Sequence, residues 1–203
     1  MRDRWQNRAD TPRGKGTIYW HILMGRYPEV RSLAQKAQNQ LADFTGLHMT
    51  PLDWLHISTL VVGSTEEVGP DEMARMLDHA SDILAGVPPI DITLGRVLYH
   101  PEAIMLGVEP TRALDPVLEA ARAAAYSVTG RDGYTTSGPG RWVPHMTLCY
   151  STARQSARPI IETLGLEFGN CQARISELTL VSQLGPEREW KWSPYGAVCL
   201  QGS

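Results

Sequence analysis

Two short segments of this 203-residue chain carry side chains suited to acid–base chemistry: Leu55-His56-Ile57-Ser58-Thr59-Leu60 and Pro144-His145-Met146-Thr147-Leu148. Each places a hydroxyl two residues after a histidine, within an apolar run of the kind that forms a buried strand. Residues i and i+2 of a strand point to the same side. His56 with Ser58, and His145 with Thr147, therefore each present an imidazole beside a hydroxyl. Histidine titrates near neutrality, so one imidazole can take a proton while the other gives one. A hydroxyl can hydrogen-bond the nonbridging oxygens of a phosphate, where charge grows in the transition state. Together the four side chains suit cleavage of a phosphodiester without a metal.

Neither motif is specific alone. A third copy, Leu47-His48-Met49-Thr50, runs at once into Pro51 and reads as a loop; His48 is kept as a candidate for the rim of the site. A lone histidine in an apolar run is more often a satisfied core residue. It is the pair, at equivalent places in two similar stretches of chain, that carries the catalytic reading. Zinc catalysis wants three protein ligands. Neither motif has a carboxylate on its own strand, and His48, His56 and His145 would be the three-histidine alternative. No GxSxG elbow supports Ser58 or Ser137 as a nucleophile, and Gly138-Pro139-Gly140 does not belong to a GxxxxGK[ST] phosphate loop.

The elements that must position the motifs follow from periodicity. Residues 17–24 read as a strand, and 28–43 as a helix with Val30, Leu33, Ala34, Ala37 and Leu41 at helical spacing. A loop over 46–54 leads to the first histidine strand at 55–62. Ser64 with Glu67 resembles a capping box, which predicts a helix over 65–85, stopped by Pro88-Pro89. Strands follow over 90–97 and 103–108 around a turn at 99–102, then a helix over 110–126. Residues 129–141 form a glycine-rich loop of the length that often serves as a lid. The second histidine strand at 143–150, a short helix at 153–164 and closing strands at 174–184 and 195–201 complete the chain. Helix, histidine strand, helix and two strands recur in each half. This rhythm suggests two related α+β lobes with the histidine strands meeting in a cleft between them. Residues 1–16 are Arg-rich and aperiodic and read as a mobile tail, with a basic arm touching phosphate as the sharper alternative; 17–203 form the domain.

Composition narrows the partner. Lys+Arg number 19 against Asp+Glu 22, a net charge of -3. A protein that grips long nucleic acid usually shows a basic excess, so a short end or a nucleotide is the expected ligand. The three cysteines form no CxxC pair and read as buried thiols in a reducing compartment. No segment has the character of a secretory signal or a membrane span, and a cytoplasmic location is expected.

The segment Trp142-Val143-Pro144-His145-Met146-Thr147-Leu148 is similar to the aromatic-x-Pro-His-x-Thr-Leu signature of the 2H phosphoesterase superfamily. Trp54 to Leu60 resembles its first motif, with Ser58 where threonine is commoner. From residue 17 onward, motif order and element order resemble the branch of 2′-5′ RNA ligase-like proteins and RNA 2′,3′-cyclic phosphodiesterases. The resemblance implies an α+β fold, bilobal, with two pseudo-symmetric lobes of antiparallel sheet, flanking helices and an active-site cleft between them. It implies no cofactor and no metal, His56 and His145 as the acid–base pair, and Ser58 and Thr147 as phosphate holders. The implied reaction is hydrolysis of a 2′,3′-cyclic phosphate on RNA ends or nucleotides, with reverse 2′-5′ RNA ligase activity open to the same site. Alternatives are a phosphodiesterase of 2′-5′ linked or cyclic oligonucleotide signals, and a nucleotide- or RNA-binding module without turnover. The strongly basic RNA groove of some relatives is not evident here. Neither a membrane nor an obligate protein partner is inferred. Tyr134 and Arg141 in the loop before the second motif, and Tyr195 near the last strand, are candidate substrate contacts, since an aromatic face stacks a base and an arginine forks onto phosphate. Trp192 reads as packing.

Overall fold

The structure is a computed structural model that describes residues 1–136 and 141–202. Ser137 and Gly138-Pro139-Gly140, weighed above as a nucleophile and as a phosphate loop, lie outside the described residues.

Among the described residues there are nine strands and four α-helices: β1 Gly16–Leu23, α1 Pro28–Gln40, β2 Leu47–Met49, β3 His56–Ser64, α2 Pro70–Leu84, β4 Ile90–His100, β5 Ala103–Glu109, α3 Asp115–Thr129, β6 His145–Ser151, α4 Arg158–Leu164, β7 Glu167–Ile175, β8 Glu177–Leu184 and β9 Trp192–Cys199. The strands pair antiparallel in the order β7-β4-β5-β6-β3-β1-β8-β9, with β2 also on β6. The fold is α+β, as expected. Its two halves, β7-β4-β5-β6 and β3-β1-β8-β9, meet where Ile57 of β3 lies opposite Met146 of β6.

The two halves of the sheet are not the two halves of the chain. After the first histidine strand, β4 and β5 join the sheet of the second histidine strand; after the second, β8 and β9 return to the sheet of the first. The sequence rhythm predicts related lobes but does not reveal this exchange, because periodicity reports an element's faces and not its neighbours.

One face of the sheet is covered by helices. Ile18, Trp20 and Ile22 alternate inward along β1 and meet Ile57, Met146 and Leu148 in a core with Val30, Ala34 and Ala37 of α1, Met76, Ala80 and Leu84 of α2, and Val117, Ala121 and Ala124 of α3. Strand alternation sends His56, Ser58, His145 and Thr147 to the other face.

Every α-helix carries a proline in its first turn: Pro28, Pro70, Pro116 and Pro159. A proline there loses no intrahelical hydrogen bond and arrives with helical φ. These prolines correct three expected starts, at 65, 110 and 153. The Ser64–Glu67 contact does form, with the carboxylate accepting from the Ser64 N–H and hydroxyl, but it closes a turn; α2 begins at Pro70, where Glu72 accepts from the Gly69 N–H.

Two further corrections bear on the site. Residues 47–49 are a strand and not a loop: β2 pairs with β6 at Ser151, Tyr150 and Cys149. On the other side of the junction, Tyr134 pairs with Val61 of β3, each N–H donating to the other's carbonyl at 2.8 and 3.0 Å. Both histidine strands thus have an edge filled where they part from each other. Gly133 permits this approach, since it has φ +66° and a Cβ there would lie 2.5 Å from the Val61 carbonyl oxygen. The start of the chain, expected as a tail, is docked: Arg2 N–H donates to the Pro101 carbonyl at 2.8 Å and Arg4 N–H to the Ser151 carbonyl at 2.9 Å.

Candidate active site

His56 and His145 occupy the first positions of β3 and β6 and line the same cavity, about 260 Å³ in volume, together with Ser58 and Thr147. Each imidazole is braced in the same way. His56 Nδ1 lies 2.7 Å from the Trp54 carbonyl, and His145 Nδ1 lies 2.7 Å from the Val143 carbonyl. A carbonyl only accepts, so Nδ1 carries the proton in both rings and Nε2 is left as the titrating atom. The motif aromatics set the frame. Trp142 is buried and its Nε1–H donates to the Ser58 carbonyl at 3.2 Å, tying the second motif to the strand of the first. Trp54 packs against Trp192, ring centroids 5.2 Å apart.

Burial disfavours the charged form of both imidazoles. His56 is pushed down to about 4 by desolvation, opposed by its backbone hydrogen bond to Trp54 and by the charge of Glu187, with His145 adding to the fall. His145 is also lowered, by desolvation first and by the charges of His100 and Arg4, against its bond to Val143.

The cavity wall contains residues that motif reading missed. His21 of β1 is buried behind His56, centroids 4.4 Å apart, and stacks on Tyr19 at 4.9 Å. Its pKa is driven well below the usual histidine range by burial and by His56. The alternation Tyr19-x-His21 in the first strand is the signal that could have found it. His100, at the end of β4, accepts from the Glu102 N–H through Nδ1 at 3.2 Å and also faces the cavity. Trp190 and Tyr150 stack at 5.8 Å on one wall, and Arg4 and Glu187 form an ion pair at 2.6 Å on it. These last residues reach the site through tertiary contacts alone.

Of the other expected contacts, none of Tyr134, Arg141, Tyr195 and His48 is on the cavity wall. Tyr134 is exposed in an adjoining groove, because its backbone pairing with Val61 fixes it outside the cleft. Tyr195 lies on the edge strand β9, and its hydroxyl donates to the Pro70 carbonyl at 2.9 Å. Arg141 is exposed. His48 accepts from Trp190 Nε1–H at 3.4 Å, with the two rings nearly parallel, so it backs a wall residue. Among the described residues, no three His, Cys, Asp or Glu side chains are grouped as a metal site. No helix of these residues is long and apolar enough to cross a membrane.

A family model for the 2′-5′ RNA ligase superfamily matches residues 27–187. The chain belongs to this superfamily. Both histidine motifs fall within the matched span, and membership supports a phosphoesterase or RNA-ligase type of activity. No curated protein sequence matches this superfamily member. Solved structures share its fold: TT0787 of Thermus thermophilus, with TM-score 0.69 and 16% identity, covering 92% of this chain and 99% of that one; E. coli LigT complexed with 3′-AMP, with TM-score 0.69 and 17% identity, covering 92% and 98%; and the MHV ns2 PDE domain, with TM-score 0.58 and 14% identity, covering 82% and 98%.

Proposed function

We propose that this protein is a metal-independent phosphodiesterase that opens the 2′,3′-cyclic phosphate of an RNA end or a nucleotide, with His56 and His145 as its acid–base pair. The observation that carries the reading is the matched construction of the two imidazoles. Each is braced through Nδ1 by the carbonyl two residues before it, each has a hydroxyl two residues after it, and both face one cavity.

In the proposed reaction, Nε2 of one imidazole accepts a proton from water as the water oxygen bonds to phosphorus. Nε2 of the other, protonated, donates to the ribose oxygen as its bond to phosphorus breaks. A cyclic diester and water become a ring-opened monoester, and the two rings have exchanged protonation states. Ser58 and Thr147 hydrogen-bond the nonbridging oxygens. Tyr19, half-buried on the cavity wall, offers a face on which a base can stack, worth about 1–3 kcal/mol. The LigT complex with 3′-AMP supports a nucleotide-sized ligand for a cleft of this shape. The free thiols of Cys149, Cys171 and Cys199 fit a cytoplasmic location.

The test is turnover of a 2′,3′-cyclic nucleotide by the purified protein. Activity is expected to survive EDTA and to collapse in His56→Ala and in His145→Ala. Loss with chelator overturns the metal-free reading. Phosphate-ester binding with no product in the wild type would make the cleft a binding module, and turnover confined to 2′-5′ linked or cyclic oligonucleotides in a substrate panel would change the substrate class.

A further inference from the structure

The first eight residues precede the span matched by the family model, form no helix or strand, and still supply part of the cleft wall. Three arginines hold this arm in place. Glu102, 6% exposed, accepts from Arg2 Nε at 2.9 Å, Arg8 Nη2 at 2.6 Å and Arg4 Nη1 at 3.4 Å. Arg4 also gives Nε and Nη2 to the two carboxylate oxygens of Glu187, at 3.1 and 2.6 Å, and its guanidinium lies 4.5 Å over the Tyr150 ring. Tyr150 belongs to β6 and Glu187 follows β8, so one side chain spans the two halves of the sheet beside the cavity.

Charge makes this arrangement consequential. An anionic phosphodiester must enter the cavity, yet burial disfavours a positive charge on both imidazoles. Among the described wall residues, Arg4 is the one lysine or arginine and Glu187 the one carboxylate. The charge of Arg4 is felt at His145 and that of Glu187 at His56, so the pair is within electrostatic reach of both rings. Arg4 holds its weakest bond, the 3.4 Å contact from Nη1 to Glu102, while Nε and Nη2 form a planar fork on Glu187. Such a fork suits two oxygens of a phosphate as well as it suits a carboxylate.

We propose that Arg4 is the phosphate-binding cation of the cleft, delivered by the N-terminal arm, and that Glu187 occupies its fork until a phosphate oxyanion replaces it. This deepens the reading of the cleft as a phosphodiesterase site and rests on it. Three arginines on the partly buried arm are then explained together: Arg2 and Arg8 anchor the arm on Glu102, and Arg4 does the binding.

The experiment measures binding of inorganic phosphate by calorimetry, and its inhibition of cyclic-nucleotide turnover, in the full chain and two variants. Arg4→Met, which keeps an unbranched apolar side chain and removes the guanidinium, is expected to weaken phosphate binding by about tenfold or more. Glu187→Gln, a change in a solvent-accessible turn, removes the competing charge and is expected to tighten binding several-fold. A purely structural clamp predicts that both variants weaken binding alike, because both break the same ion pair; that result overturns the proposal, as does unchanged binding in Arg4→Met or no phosphate binding by the wild type. Should Arg4→Met fail to fold, the direction of change in Glu187→Gln decides alone. If phosphate binds in an Arg4-dependent way but no cyclic nucleotide is turned over, the proposed reaction falls and the anion site stands.

Discussion

The segments around His56 and His145 are built alike and housed differently. Both rings lean on a carbonyl two residues upstream at the same 2.7 Å, and both precede a hydroxyl by two residues. His56, however, is backed by rings: His21 and Trp192, each with its centroid 4.4 Å away, and Trp190. His145 is also lowered by desolvation, but here the charges of His100 and Arg4 add to the fall. The local sequence thus sets the tautomer, which is common to both, while the tertiary surroundings set proton affinity, which is not. Two copies of one motif can then divide acid and base between them because their environments separate their titrations.

The most direct way to break the comparison is to remove each ring in turn. His56→Ala and His145→Ala are each expected to lower kcat on a cyclic nucleotide by about 10²–10⁴-fold, with folding checked by circular dichroism. If one substitution leaves kcat near wild type, the two rings do not work as a pair. Removing the hydroxyls comes next: Ser58→Ala and Thr147→Ala should each reduce kcat by up to about 10²-fold, and equal losses would show that phosphate is held symmetrically.

Acid stability sharpens the difference between the rings. His56 is held near 4 in the folded protein, below the unfolded value of about 6.5, so between these pH values the unfolded chain binds the extra proton. Stability must therefore fall as pH drops through that window, by no more than about 3 kcal/mol from this ring and by less to the extent that the open cleft hydrates it. His21 titrates in the same sense. Thermal melts of wild type and His56→Gln from pH 7 to pH 4 should show a shallower acid decline in the variant. The corresponding rate profile follows from the acid role: kcat/KM should decline as pH rises past the lowered pKa of the protonated imidazole, placing the optimum on the acid side of about 6.5. An optimum above about pH 8 would mean that neither ring acts as the acid. The smallest expected effect is at the strap between the motifs. Trp142→Phe removes the indole hydrogen bond to the Ser58 carbonyl and should lower stability by about 1 kcal/mol with little change in kcat.

How much of this is legible in the sequence differs by residue. His56, Ser58, His145 and Thr147 can be placed on one face because strand alternation is a local rule that holds wherever the strand is. Val30, Leu33, Ala34 and Ala37 mark α1 for the same reason. The strand β7 is hard to see because its run Glu167-Phe168-Gly169-Asn170-Cys171 has little apolar alternation; its pairing with β4 is what makes it a strand. Pro51 makes β2 read as a loop, although the proline falls after its last paired residue. His21, His100, Arg4 and Glu187 share no spacing with either motif and come together through β1, β4, the N-terminal arm and the turn after β8. Tyr134 precedes the second motif and Tyr195 lies on the last strand, but a backbone pairing and a hydroxyl bond to Pro70 hold them elsewhere.

The crossing of strands between the halves of the sheet has a consequence for taking the molecule apart. Scission of the chain ahead of Trp142 would leave an amino-terminal fragment carrying β3 without its outer partners β8 and β9, and a carboxyl-terminal fragment carrying β6 without β5 and β4. Neither piece owns a complete sheet. The two fragments would have to interlock, strand by strand, before either could present its histidine, so recovery of turnover on mixing them would report the reassembly of both halves at once.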